Sequence, residues 1–284
     1  MISPYLVENR HIAVKRCKYG VFMYNRNDTF VGRGLDLYGE WCDFEIQLVR
    51  KFIELGDTVV DVGANIGTHT IAFANVVGPA GLVHAFEPQR RNFLMLAGNA
   101  ALNGLDNVIC HQKAVGESEG EISLPLLPPP EVSFNYSAVP LQVGLPAVEN
   151  VPLTNLDSLN LPRCRLIKID TEGMEQPVLA GAKSTIERCR PFLYVENNEH
   201  GASKTLSQIL DAFGYKAWWS IYPYYDARNF YSNTENVWRD YMPSANLLCA
   251  PSELDVQLPD LQPFLGETDE WRDCVQRMTS RLQR

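Results

Sequence analysis

What most restricts the fold of this 284-residue chain is a strand–helix alternation that begins at residue 58. Thr58-Val59-Val60-Asp61-Val62 is a short β-branched run of the kind buried on both faces of a sheet. A glycine-containing turn and a helix reaching about Asn75 follow it. Gly81–Phe86 is a second strand. Pro88 then opens a helix in which Phe93, Leu96, Ala97 and Ala100 share one face, and Asn103-Gly104 closes it. Asn107–His111 is a third strand. Three strand–helix units in about 55 residues require a parallel sheet with right-handed crossovers.

The rhythm resumes later in the chain. Arg165–Asp170 and Pro191–Glu196 read as strands, with 174–188 helical between them. Ser203 caps a helix with Leu206, Ile209, Leu210 and Phe213 on one face, stopped by Gly214; Ala245–Ala250 is a late strand. Upstream, Phe44, Leu48, Phe52 and Leu55 recur at helical spacing over 43–55. One α/β domain over 43–251 is expected, with a turn-rich extension of short strands over 1–42 and a peripheral, helical tail over 252–284. Six prolines between 125 and 150 mark that stretch as an insertion or lid, not a sheet element.

The turn after the first strand is the most informative segment. A dinucleotide fingerprint, G-x-G-x-x-G, fails twice from Gly63, where Asn65 and Thr68 stand in place of glycine, and no P-loop Gly-Lys-Ser/Thr follows. The segment fits Asp-x-Gly-x-(Gly/Asn)-x-Gly instead, through Asp61, Gly63, Asn65 and Gly67, with Ala64 and Thr68 beside them. Glycine lets a backbone pass close to a ligand, and asparagine tolerates the left-handed conformation. A diphosphate prefers helix amides without a neighbouring carboxylate. Asp61 therefore favours a ligand carrying positive charge. Glu87, twenty residues after Gly67 and followed by Pro88, stands where a carboxylate can take ribose hydroxyls. These features point to S-adenosylmethionine. The third strand runs into Gln112, Lys113 and Ala114.

Val60-Asp61-Val62-Gly63-Ala64-Asn65-Ile66-Gly67-Thr68, followed by Phe86-Glu87-Pro88, resembles the FkbM-type branch of class I S-adenosylmethionine-dependent methyltransferases. Lys168-Ile169-Asp170-Thr171-Glu172-Gly173-Met174-Glu175, leading to Val178-Leu179-Ala180-Gly181, carries the same resemblance, which spans roughly residues 36–251. It implies a Rossmann-like fold: a seven-stranded, mostly parallel sheet with one reversed strand and helices on both faces. It also implies O-methyl transfer, often to sugar hydroxyls, leaving S-adenosylhomocysteine. The class I fold that it implies would place Gln112, Lys113 and Ala114 beside the adenine.

Methyl transfer from a sulfonium is an in-line displacement, so alignment of the acceptor oxygen dominates, and a general base assists a weakly nucleophilic hydroxyl. The base must stand at the carboxyl edge of the sheet. Asp170, Glu172, Glu196 and His200 are the catalytic candidates; Asp170 could also support the amino group of the donor, and Glu196 with His200 could form a base and relay. The carboxylates are hard ligands suited to Mg²⁺ or Ca²⁺, but a cationic ligand attracts acids without a metal, so none is expected. Tyr38-Gly39-Glu40-Trp41 and Glu45 could close over the amino-acid end of the donor.

Nine aromatic residues between 218 and 241, interleaved with amides and acids, suit a sugar. Trp218, Trp219 and Tyr222 are the candidate acceptor contacts, with Asn135 and Tyr136 in a lid that shuts out water; a hydrophobic subcore or a contact between two copies would use the same residues. With 25 basic against 34 acidic residues, a net charge of −9 and a pI near 5.1, the chain lacks the broad positive field of a nucleic-acid binder. Seven cysteines without a C-x-x-C pair read as free thiols in a reducing compartment, hence a cytoplasmic protein. The first residues do not read as a signal peptide, and no apolar window is long enough to span a membrane. Two further readings remain open: a methyltransferase for a non-sugar acceptor, at nitrogen or oxygen, and a catalytically silent scaffold of the same fold.

Overall fold

The computed structural model describes residues 5–137 and 148–282. The chain opens with β1 (Tyr5–Glu8), β2 (Ile12–Cys17) and β3 (Gly20–Asn25), an antiparallel meander, followed by α1 (Val31–Tyr38) and α2 (Asp43–Val49). The expected extension of short strands thus also holds a helix. Val31, Leu35 and Tyr38 line one face of α1 and are buried. Val31 and Leu35 share a core cluster with Ala13, Phe22 and Tyr24 of the meander and with Ile66 and Met95 of the main fold. The helix expected over 43–55 is shorter: α2 passes into a single 3₁₀ turn ending at Phe52, and Ile53 is extended.

The main layers are β4 (Thr58–Val62), α3 (Thr68–Val77), β5 (Leu82–Phe86), α4 (Arg90–Leu102) and β6 (Val108–His111). Next come β7 (Ala114–Val115), β8 (Gly120–Pro125), β9 (Val148–Thr154), β10 (Leu166–Ile169), α5 (Glu175–Ala180), α6 (Lys183–Cys189) and β11 (Phe192–Glu196). The chain continues through α7 (Ala202–Phe213), β12 (Tyr215–Tyr222), β13 (Ser244–Pro251), β14 (Gln262–Pro263) and α8 (Trp271–Leu282).

The central sheet runs β14-β12-β13-β11-β10-β4-β5-β6. From β6 to β11 the strands are parallel, β13 is reversed, and β12 is antiparallel to β13. This is the expected seven-stranded sheet with one reversed strand, extended by the two-residue edge strand β14. Every residue of β4 and β10 is buried, as both faces of the sheet centre are covered.

Several local expectations need correction. The third strand is not followed by a helix; β7, β8 and β9 form a separate three-stranded sheet there, in which β8 and β9 pair antiparallel. The stretch 125–150, expected to hold no sheet element, therefore supplies Pro125 and 148–150 to that pairing; residues 138–147 of the expected lid lie outside the described residues. The helix expected over 174–188 is two helices. Between them, a Cβ on Gly181 would fall 2.0 Å from the Gly116 carbonyl oxygen, so the break lets two backbones approach. Pro88 precedes α4 rather than starting it, since Gln89 occupies the N-cap. Gly201 (φ +84°) occupies the N-cap of α7, while Ser203 is buried and binds Asn197 and the Asp269 carbonyl. The tail docks more firmly than a peripheral helix would: Trp271 and Cys274 belong to the core cluster of β10, β11 and β13.

Candidate functional site

The carboxyl ends of β4, β5, β10 and β11, with the start of α2 and the loop after β12, enclose a cavity of about 370 Å³. Ligands of open α/β sheets bind at this edge.

The turn after β4 forms its floor. Gly63 (φ +76°), Asn65 (φ +51°) and Gly67 (φ +92°) are all left-handed, which the pattern of glycines and asparagine permits. A Cβ on Gly63 would lie 1.7 Å from the Asp170 carbonyl oxygen, so the turns after β4 and β10 touch main chain to main chain. The amides of Gly63 and Ala64 donate to the Phe86 carbonyl at 3.0 and 2.9 Å, which ties the turn to the end of β5. Glu87 is 5% exposed and lines the cavity. It accepts the Asn65 and Gln89 amides, both at 2.9 Å. Burial pushes its carboxyl up to about 7, although those two amides oppose the shift.

Asp61 does not face the cavity. It is fully buried, accepts the Thr70 hydroxyl at 2.6 Å, and lies 3.2 Å from the Lys168 ammonium. Lys168, which the sequence reading left without a role, also lies 3.4 Å from Asp170 and donates to the Gly63 carbonyl at 3.1 Å. Burial works against its charge, but Asp61 and Asp170 outweigh burial and raise its pKa. The first-strand acid thus acts beneath the turn, through a lysine, instead of gripping a ligand directly.

Asp170, Glu172 and Glu196 converge: one oxygen from each lies within 4.8 Å of the others. Burial first, then the charges of Asp170, Glu175 and Glu199, push Glu172 up to about 8. Burial, then the charges of Asp170, Glu172 and Glu175, raise Glu196 well above an ordinary glutamate. Glu175 was missed; its carboxylate accepts the Thr171 amide and hydroxyl and the Gly173 amide, at 3.0, 2.9 and 3.2 Å, and so shapes the turn that carries Glu172 (φ +55°). His200 is exposed and outside the cavity, so it is not placed as the expected relay; the side-chain amide of Asn198, which lines the cavity, donates to Glu196 instead. A second acidic group, Glu40, Asp43 and Asp226, has metal-like spacing, but the Lys18 ammonium sits 3.1 Å from Glu40 and 2.7 Å from Asp43.

Ala64, Thr68, Pro88, Lys113 and Ala114 line the cavity as expected sites should; Gly67 and Gln112 do not. Gly67 packs against Leu96 instead, where a Cβ would come within 2.8 Å. Of the acceptor candidates, Asn135 and Tyr136 line the cavity. The three on β12 lie elsewhere. Trp219 is buried, with its indole N–H donated to Asp269 at 2.9 Å, Trp218 packs against the apolar cluster on the opposite side of the sheet, and Tyr222 stacks on Phe44. The aromatic wall is built from Phe30, Trp41 and Tyr224. The Trp41 and Tyr224 rings stack 5.0 Å apart at 12°, and Phe30 meets both edge-on. Of the segment expected to close over the donor, Trp41 and Glu45 line the cavity, while Tyr38 binds the 235–237 backbone and Glu40 pairs with Lys18. His69 was also missed. It is 6% exposed, its Nε2 has no hydrogen-bond partner, and that atom lies 3.6 Å from Glu45, which accepts the Ser244 hydroxyl.

A doubly wound sheet with this strand order, a left-handed Gly/Asn turn and an acid at the end of the next strand defines a Rossmann-like methyltransferase. The family described as the methyltransferase FkbM domain matches residues 61–217, more than half of the sequence, and the chain belongs to that family. It is 28% identical over 176 residues to the hexuronic acid methyltransferase AglP of Haloferax volcanii, covering 62% of this chain and 69% of that protein. It is 29% identical over 143 residues to Methyltransferase 1 of Beauveria bassiana, covering 43% of this chain and 57% of that one. The crystal structure of Methyltransferase FkbM from Methylobacillus flagellatus KT superposes with a TM-score of 0.43 at 17% identity, over 68% of this chain and 43% of that chain.

S-adenosylmethionine is the methyl donor, and the cavity fits it on three observations. Gly63 and the αL Asn65 keep side-chain bulk off the floor. Glu87 keeps lone pairs for a ribose diol beside its two amide bonds. The far end is acidic, which suits an ammonium and a sulfonium. Among the described residues no helix is long and apolar enough to cross a membrane.

Proposed function

We propose that the chain methylates a hydroxyl of a sugar, glycan or glycosylated small molecule. The observation that carries this reading is the sharing of one cavity by the donor floor, a carboxylate cluster and an aromatic wall. Flat rings pack on the C–H face of a sugar while carboxylates and amides take its hydroxyls. The name of AglP, a hexuronic acid methyltransferase, supports a sugar acceptor.

When bound, the donor supplies an electrophilic methyl carbon on a sulfonium leaving group. Glu87 holds the ribose hydroxyls, and Gly63, Ala64 and Asn65 form the backbone floor. Lys113 and Ala114 flank the adenine. Asp170, fixed by Lys168, takes the proton of the acceptor hydroxyl, and Glu172 and Glu196 orient the other hydroxyls. Alignment of this kind supplies about 7–11 kcal/mol, and the base a further ~10²–10⁴-fold. Asn135 and Tyr136 close the cavity over the reacting atoms and keep water out. Residues 43–251 form the catalytic domain in this reading; 1–42 supports its aromatic wall, and 252–284 braces the core.

The test is incubation with trideuteromethyl S-adenosylmethionine and a panel of methyl glycosides, phenols and amines, read by mass spectrometry. Label in a glycoside hydroxyl is the expected result. Label confined to a phenol or an amine overturns the sugar reading.

A further inference from the structure

The charge balance of the cavity selects among sugars, an inference that rests on the sugar reading above. Glu45, Glu87, Asp170, Glu172 and Glu196 line it against Lys113 and Lys168, and among the described residues no arginine does. Lys168 is engaged between Asp61 and Asp170, and Lys113 stands past the end of β6, on the donor side. The donor brings one carboxylate against an ammonium and a sulfonium, a single net positive charge. The acceptor end therefore keeps more carboxyl groups than cations after the donor binds. Burial first, and then the crowding of the acids, raises Glu172 and Glu196, so a cation seated among them would favour their ionised forms.

Two further observations point to the occupant. Trp41 and Tyr224, stacked at 5.0 Å, present π surface beside these acids, and such surfaces attract ammonium groups. The unpartnered Nε2 of buried His69, next to Glu45, leaves a hydrogen-bonding position for a polar ligand atom. We infer that the acceptor is an amine-bearing sugar, whose ammonium sits between the Asp170–Glu172–Glu196 carboxylates and the Trp41–Tyr224 wall while His69 meets a hydroxyl. A sugar acid would bring a carboxylate to this end, where among the described residues the one lining lysine, Lys168, is already paired with Asp61 and Asp170.

The experiment is isothermal titration of the full chain, saturated with S-adenosylhomocysteine. Titrants are methyl glucoside, methyl glucuronide and the methyl aminoglucosides with the amine at C2, C3, C4 or C6. One aminoglucoside is expected to bind at least ~tenfold tighter than the glucoside, with the glucuronide weakest, and the preference should shrink as salt rises from ~50 mM to ~500 mM. Glu172→Gln should cut the amine preference to less than ~threefold. Tyr224→Leu, on a different element, should also lower it. If the glucoside binds and no amine improves on it, or the glucuronide binds tightest, the inference falls and the sugar reading stands. If no sugar binds to protein that takes up S-adenosylhomocysteine, both fall.

Discussion

Lys168 and Asp61 are register partners on adjacent parallel strands, and the lysine ammonium lies 3.2 Å from the aspartate carboxylate at full burial of the acid. Removing one member of a buried pair strands the other charge, at a cost of about 3–5 kcal/mol. Lys168→Met is therefore expected to lower the urea midpoint sharply. It should also weaken donor binding, because the Gly63 carbonyl loses its ammonium donor. Lys168→Met combined with Asp61→Asn should regain much of the stability. Equal midpoints for wild type and the single variant would remove the pair from the account of stability.

Glu87 ties the stability of the fold to pH. Its carboxyl is pushed up to about 7, above an ordinary glutamate, so the folded chain holds a proton that the unfolded chain has released. The stability this contributes is complete below the ordinary glutamate range and is lost as pH rises through about 7. Glu87→Gln should flatten the fall in Tm between pH ~5 and ~8, read by calorimetry without donor. Its absolute Tm should drop, because one amide oxygen must serve the two backbone N–H groups that a carboxylate serves with two. Affinity for S-adenosylmethionine should fall by at least ~tenfold with the loss of the charged acceptor. An unchanged affinity would take Glu87 out of the donor site.

Trp219 and Tyr224 separate core from site. Trp219→Phe removes the indole N–H bonded to Asp269 and should cost about 1–3 kcal/mol of stability. The acceptor KM should not move. Tyr224→Leu should raise the acceptor KM and leave the affinity for S-adenosylhomocysteine as it was. Steady-state kinetics beside urea unfolding distinguishes the two, and a KM effect from Trp219→Phe would restore the strand tryptophans to the site.

The turn that floors the cavity was legible because local conformation carried it, although Asp61, Gly67 and Gln112 do not line the cavity as expected. The left-handed turn at Gly63, Asn65 and Gly67 and the acid at Glu87 follow from spacing along the chain. Lys168 was not, since its role depends on which parallel strand lies beside β10, a relation that spacing does not encode. The tryptophans were misplaced for a related reason: Trp218 and Trp219 alternate across a sheet buried on both faces, so neither reaches its carboxyl edge. Trp41 and Phe30 reach the cavity only because α1 and the meander dock on the main fold, a packing carried by Val31 and Leu35. The short sheet of β7, β8 and β9 was hidden by the prolines that flank it.

The absent side chain at Gly63 has a consequence for how such an enzyme can diversify. Because the backbones of Gly63 and Asp170 meet directly, the spacing of the turns after β4 and β10 is set by the skeleton of the sheet and not by side-chain packing between them. If the wall around Trp41 and Tyr224 admits the acceptor as proposed, substitutions there would change which molecule enters while the spacing of the two turns stays constant.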